Sequence, residues 1–173
     1  MFELYTDEAR RSISLAYIAA SQFDSTKIET EHLLLGLMSE NLAFVNRFLA
    51  PEASEDWLRA RTAKREDIYT DSGDMTFTDE SNRVFSFAAE EASVMCCQLI
   101  GIEHLLLGVL REEGSLAARM LRERGANIER IRKELARCPH QPTPNSERKL
   151  QVIERLHEIL ASAGPPRLDL PKS

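Results

Sequence analysis

The stretch "ETEHLLLGL" (residues 29–37) returns as "GIEHLLLGV" (residues 101–109), 72 residues later. Glu31 and His32 precede Leu33, Leu34, Leu35 and Gly36, and Glu103 and His104 precede Leu105, Leu106, Leu107 and Gly108 in the same order. The spacing holds without a gap on the upstream side. "YTDEARRSISLA" from Tyr5 aligns with "FTDESNRVFSFA" from Phe77, so Asp7 meets Asp79 and Arg11 meets Arg83. Downstream, Arg47 meets Arg119 and Leu49 meets Leu121. Self-similarity held at one fixed period marks a duplicated structural unit.

Inside each copy the apolar positions keep helical spacing. Ile13, Ala16 and Ala20, with Phe85, Ala88 and Ala92 as their counterparts, recur every three or four residues and define one buried helix face. Thr6 and Thr78 stand where an N-cap belongs, and the Asp-Glu pair behind each suits the positive end of a helix dipole. Each copy closes on a further helical segment, roughly 53–62 and 127–137. About four short helices per copy follow, and units this small bury little alone. The expectation is all-α: two four-helix repeats related by a pseudo-twofold axis and packed together, over residues 1–137. The copies cover about 1–62 and 76–137, joined by a polar linker at 63–75 with Ser72-Gly73-Asp74 as turn chemistry.

Beyond residue 137 the pattern changes. The segment 138–145 is proline-rich and reads as a linker. Residues 146–163 place Leu150, Ile153, Leu156 and Leu160 on one face of an amphipathic helix, an extra C-terminal helix that needs a packing partner. Residues 164–173 read as a flexible tail.

Composition bounds the function. With 43% hydrophobic and 29% charged residues, the 173-residue chain is an ordinary folded protein. A net charge of −6 disfavours a nucleic-acid binder, which needs a basic face. No run approaches the roughly 20 apolar residues of a membrane span, and "MFELYTDEARR" lacks a signal-peptide core. Cys96, Cys97 and Cys138 form no disulfide framework, so a cytoplasmic setting with reduced thiols is expected. His32 and His104 are read as buried residues donating to backbone or capping groups, not as metal ligands, since no further Cys or His stands at zinc spacing. Neither a G-x-S-x-G nor an H-E-x-x-H signature occurs, so no catalytic residues, metal or cofactor are expected.

Two "EHLLLG" segments, each preceded by a "(F/Y)TDE" helix start, resemble the double Clp N-terminal repeat found at the amino end of the ClpA and ClpC unfoldases. The resemblance covers about residues 1–137. The G-x-x-x-x-G-K-[ST] phosphate loop of the unfoldases' ATPase modules is absent, so the chain looks like a stand-alone N-domain. The resemblance implies a non-catalytic recognition module of the Clp proteolysis system. Its partners would be adaptors, degradation-tagged substrates, or the unfoldase and protease components themselves.

The resemblance also implies sites. In ClpC-type domains the equivalents of Glu31 and Glu103 bind phosphoarginine: a carboxylate can take a guanidinium in a two-pronged fork while helix-start amides hold the phosphate. The other reading of both is a carboxylate that merely complements the helix dipole. The first copy has Glu29 where the family commonly has glycine, adding charge where a phosphate would approach. The second has Ile102 where the family has threonine, removing a capping hydroxyl. Phe2 and Phe77 match apolar positions that line a peptide and adaptor groove in the family, or are simply buried. A reading from another class stays open: a ligand-sensing regulator, unconnected with proteolysis, that dimerises through its C-terminal helix.

Overall fold

The computed structural model of the chain describes residues 3–62 and 75–136. Most of the predicted linker, the three segments assigned beyond residue 137, and Phe2 lie outside them. The first copy contributes α1 (Asp7–Gln22), the short strand β1 (Lys27–Ile28), α2 (Thr30–Asn46) and α3 (Glu55–Arg59). The second contributes β2 (Thr76–Phe77), α4 (Asp79–Val94), α5 (Ile102–Arg111), α6 (Leu116–Glu123) and α7 (Ile128–Leu135). The fold is all-α, as the periodicity implies, with one two-stranded sheet among the described residues.

The copies differ in their helix count for a local reason. In the first, the second and third helices run together as α2 across a break at Asn41 (φ −152°, ψ 79°). Asn41 restarts the helix by accepting the Phe44 amide on its side chain (3.0 Å). In the second, a turn separates α5 from α6, and Ser115 caps the restart from the Ala118 amide (3.1 Å). Four helical segments per copy are therefore present, two of them fused.

The caps foreseen at Thr6 and Thr78 are in place. Each hydroxyl accepts the amide three residues on, Ala9 or Ser81, at 3.2 Å. The first helix of each copy then lies across the helix that carries the repeated motif. Gly36 rests against the backbone of Ser12 and Ala16, and Gly108 against that of Val84 and Ala88. A Cβ on Gly108 would meet the Val84 carbonyl at 2.5 Å, so glycine is what lets the two helices touch. The leucines of both motifs fill the core, Leu34, Leu35, Leu106 and Leu107 being wholly buried. Each such side chain is worth about 1.5–3 kcal/mol of transfer free energy.

Two parallel strand contacts join the copies. Ile28 pairs with Phe77 in the β1–β2 sheet, and Tyr5 pairs with Ile100 in an isolated bridge. A shift of 72 residues turns Tyr5 into Phe77 and Ile28 into Ile100. The two contacts are thus one contact with the copies exchanged, as a twofold relation requires. Their hydrogen bonds repeat it: the Thr6 amide donates to the Ile100 carbonyl at 3.0 Å, and the Thr78 amide to that of Ile28 at 3.1 Å. Arg11 bonds Glu40 as Arg83 bonds Glu112, each through two guanidinium nitrogens.

The paired helix starts as candidate recognition sites

Both motifs enter their helix by the same device, and it differs from the one expected. The N-cap residues are Glu29 and Gly101, both extended, with ψ of 170° and 179°. Their backbone amides donate to Nδ1 of His32 (3.0 Å) and of His104 (2.9 Å). The histidines are buried as foreseen, but the imidazoles accept here where donation was expected. An accepting Nδ1 fixes the neutral tautomer, with its proton on Nε2. This is one half of a capping box, the bond from the N-cap amide to the side chain three residues on, with histidine in the place usually held by Glu or Gln.

Thr30 and Ile102 follow the N-cap and do not serve as caps. The Thr30 hydroxyl donates to the Glu31 carboxylate at 3.2 Å, and Ile102 packs into the core. The expected loss of a capping hydroxyl at Ile102 therefore does not occur, because the cap sits one residue earlier.

Glu31 and Glu103 occupy the first turn of α2 and α5, and both are buried, 8% and 6% exposed. Their surroundings are not equivalent. Glu103 curls back over Gly101, where a Cβ would collide with both carboxylate oxygens. It stands 3.5 Å from the His104 Nδ1, and since that nitrogen is an acceptor the contact is no ion pair. Glu29 replaces the glycine in the first copy, so Glu31 is held from the side by Thr30 instead. Glycine at 101 thus decides where the second carboxylate goes.

Phe77 is half-buried and sits within a file of aromatic rings. Tyr17 meets Phe77 edge-on at 5.5 Å, Phe77 meets Phe85 at 4.9 Å, and Phe85 meets Tyr5 at 6.3 Å. The file runs from the exposed Tyr17, whose hydroxyl donates to the Met75 carbonyl, to the buried Tyr5. Burial pushes the Tyr5 hydroxyl above the ordinary tyrosine range. Tyr5 is also the repeat counterpart of Phe77, so one aromatic position is buried in one copy and half-open in the other. On the axis between the copies, Ser12, Ile13, Leu33, Leu37, Val84, Leu105 and Val109 surround a cavity of about 10 Å³. That is room for at most one water, far below a small-molecule site.

Cys96 and Cys97 lie just past the end of α4. Cys96 takes φ 56°, as Asp24 takes φ 54° at the same point of the first copy. Burial is the first cause that raises the Cys97 thiol, with the Glu103 carboxylate next. Among the described residues no group of His, Cys, Asp and Glu could hold a metal ion, and no helix is long and apolar enough to cross a membrane.

Sequence reasoning missed one cluster altogether. Glu91, 3% exposed, accepts from Arg132 at 2.5 and 3.0 Å and from Arg111 at 3.2 Å. Arg132 first, then Arg111, holds this carboxyl below the ordinary carboxylate range. Helical phase was the available signal, since Glu91 falls on the buried face of α4 beside Ala88 and Ala92.

Comparison with known proteins agrees with the duplicated architecture. The model of the Clp repeat (R) N-terminal domain matches residues 76–166. Chloroplastic chaperone ClpC1 of Oryza sativa is 34% identical over 147 residues, which are 83% of this chain and 16% of that protein. Chloroplastic ClpC1 of Arabidopsis thaliana is 35% identical over 141 residues, 79% of this chain and 15% of its own length. The chain thus spans about one-sixth of these relatives. The crystal structure of the N-terminal domain of the chaperone ClpD from Arabidopsis thaliana superposes with a TM-score of 0.59 at 29% identity, over 77% of this chain and 92% of that one. The Hsp104 N-terminal domain from Candida albicans shares the fold, with a TM-score of 0.62 at 16% identity, over 76% and 88% of the two chains. With its twofold pair of capped EHLLLG helices and this family match, the chain belongs to the Clp repeat (R) N-terminal domain family.

Proposed function

We propose that the chain is a non-catalytic protein-recognition module of the Clp proteolysis system, and that its paired helix starts read arginine-phosphorylated clients through Glu31 and Glu103. The observation that carries the reading is the doubling. A carboxylate stands in the first turn of both α2 and α5, beside a helix entrance built on the same His–amide bond. Its charge suits a guanidinium, and the helix-start amides suit the attached phosphate once the carboxylate swings outward. The half-open ring of Phe77, beside the exposed Tyr17, supplies an apolar surface for an adaptor or client segment. Adaptors, clients and Clp components are the partners this reading implies.

Calorimetric titration of phosphoarginine into the full chain tests it, with Glu31→Ala and Glu103→Ala alongside. Saturable binding that is lost with one substitution assigns that glutamate as the reader. No heat at millimolar ligand removes phosphoarginine, leaves both glutamates as helix-start residues, and moves the search to Phe77.

A further inference from the structure

The two helix starts share a backbone but not the space above it. The N-caps Glu29 and Gly101 have φ of −92° and −96° and ψ of 170° and 179°. Each amide is held by a histidine Nδ1, at 3.0 and 2.9 Å, so both copies present the same first-turn backbone. A Cβ on Gly101 would stand 2.4 Å from each oxygen of the Glu103 carboxylate. The hollow that glycine leaves over the start of α5 thus already holds an anion, one of the protein's own. Helix-start amides and the positive end of the dipole favour an anion there.

In the first copy that hollow is filled. With the same backbone angles, Glu29 puts its Cβ into the equivalent space, and its carboxylate stays within two carbon–carbon bonds of that point in any rotamer. Glu31 is turned aside, its carboxylate accepting from the Thr30 hydroxyl at 3.2 Å. A phosphate brought to α2 therefore meets a second side chain, with a second carboxylate, at the N-cap. One brought to α5 has only Glu103 to displace, and the same outward swing empties the hollow and offers the carboxylate to a guanidinium. Lys27, exposed two residues before Glu29, eases the charge of the first entrance but does not clear its space. Ile102 does not close the second, since it packs into the core and the cap sits one residue earlier.

We infer that the two helix starts are unequal readers and that the N-cap residue sets the difference: glycine at 101 opens the second to the phosphate of phosphoarginine, and Glu29 narrows the first. This rests on the reading of Glu31 and Glu103 as the phosphoarginine ligands.

Calorimetric titration of phosphoarginine into the full chain tests it, because the isotherm counts sites as well as affinities. The expected result is one tight site, lost with Glu103→Ala, and a second at least about tenfold weaker. Glu29→Gly should raise the weak site about tenfold, and Gly101→Ala, which adds no charge, should lower the tight one by a similar factor. Each copy already shows that this extended backbone accepts both a glycine and a residue with a side chain. Two equal sites in the unsubstituted chain, or a tight site lost with Glu31→Ala, overturn the inference and leave the reading of the glutamates standing. A tight site indifferent to Gly101→Ala overturns it equally. No binding in any variant removes the reading itself, and the inference with it.

Discussion

The last helix of each copy reaches the other copy, α7 through Glu134 on Arg47 (2.6 Å), but among the described residues only the second copy also fastens its last helix through a buried carboxylate of its own. In the second, α7 is tied to α4 through Arg132 and the buried Glu91, which also takes Arg111 of α5. Arg111 in turn lies over the Phe87 ring at 4.3 Å. In the first copy Ala19 stands where Glu91 would be, and Ser39 where Arg111 would be. There α3 presents Trp57 to the guanidinium of Arg124, 4.3 Å away and contributed by the second copy. Arg124 also donates to the Glu52 carbonyl at 2.8 Å, and Arg61 pairs with Glu123. A duplicated unit thus keeps the contacts in which backbone meets backbone and is free to change how its ends are fastened.

The shared contacts should give the largest effects. Gly36→Ala and Gly108→Ala each drive a methyl into a facing backbone carbonyl that cannot move without its helix. Alanine within a helix normally gains close to 1 kcal/mol over glycine. Here the sign should reverse, to a loss of about 3 kcal/mol per substitution. Urea unfolding measures it, and an unchanged midpoint in either variant would break the claim that both helix pairs touch at glycine.

The contact found in one copy alone comes next. Glu91→Ala leaves Arg111 and Arg132 without their shared acceptor, and breaking buried pairs costs about 3–5 kcal/mol. Both guanidiniums keep some access to water, so about 2 kcal/mol is expected. Faster amide exchange should appear in α7 while α3 stays as before. The same carboxylate sets a pH dependence. Its folded pKa is depressed, so its contribution is complete above the unfolded carboxylate range near about 4.3 and is lost as the pH falls through the lower folded value. The stability gap between the unsubstituted chain and Glu91→Gln should therefore be widest at neutral pH and close on acidification.

Much of this plan could be read from residues 1–137, and the parts that could not share a physical cause. Caps, helix faces and packing glycines are local, so Thr6, Ala16 and Gly36 announce themselves through neighbours three or four residues away. The exchange of bridges between copies is non-local and rests on strands two residues long, too short to show an alternating pattern. At the candidate sites the sequence places the glutamates in a first turn but does not show their burial, because a carboxylate there is ordinarily solvated. The direction of the histidine bonds was missed for a similar reason. Sequence shows that His32 follows Glu29 by three, while only backbone angles reveal that Glu29 rather than Thr30 is the cap.

The smallest effect compares the caps of the two opening helices. Thr78→Ala would cost more than Thr6→Ala only if the Ser81 hydroxyl, which Ala9 lacks, strengthened the second cap. The Thr78 hydroxyl lies 3.1 Å from that of Ser81, which itself donates to the Ile28 carbonyl across the copy boundary at 2.8 Å. Loss of either cap bond alone costs about 1 kcal/mol. In Thr78→Ala the Ser81 hydroxyl keeps its carbonyl acceptor, so the extra hydroxyl contact adds little and the two variants should agree within about 0.5 kcal/mol. A clearly larger loss for Thr78→Ala would mean that the three groups act as one network. The second helix start would then be fastened to the first copy more tightly than the first is to the second.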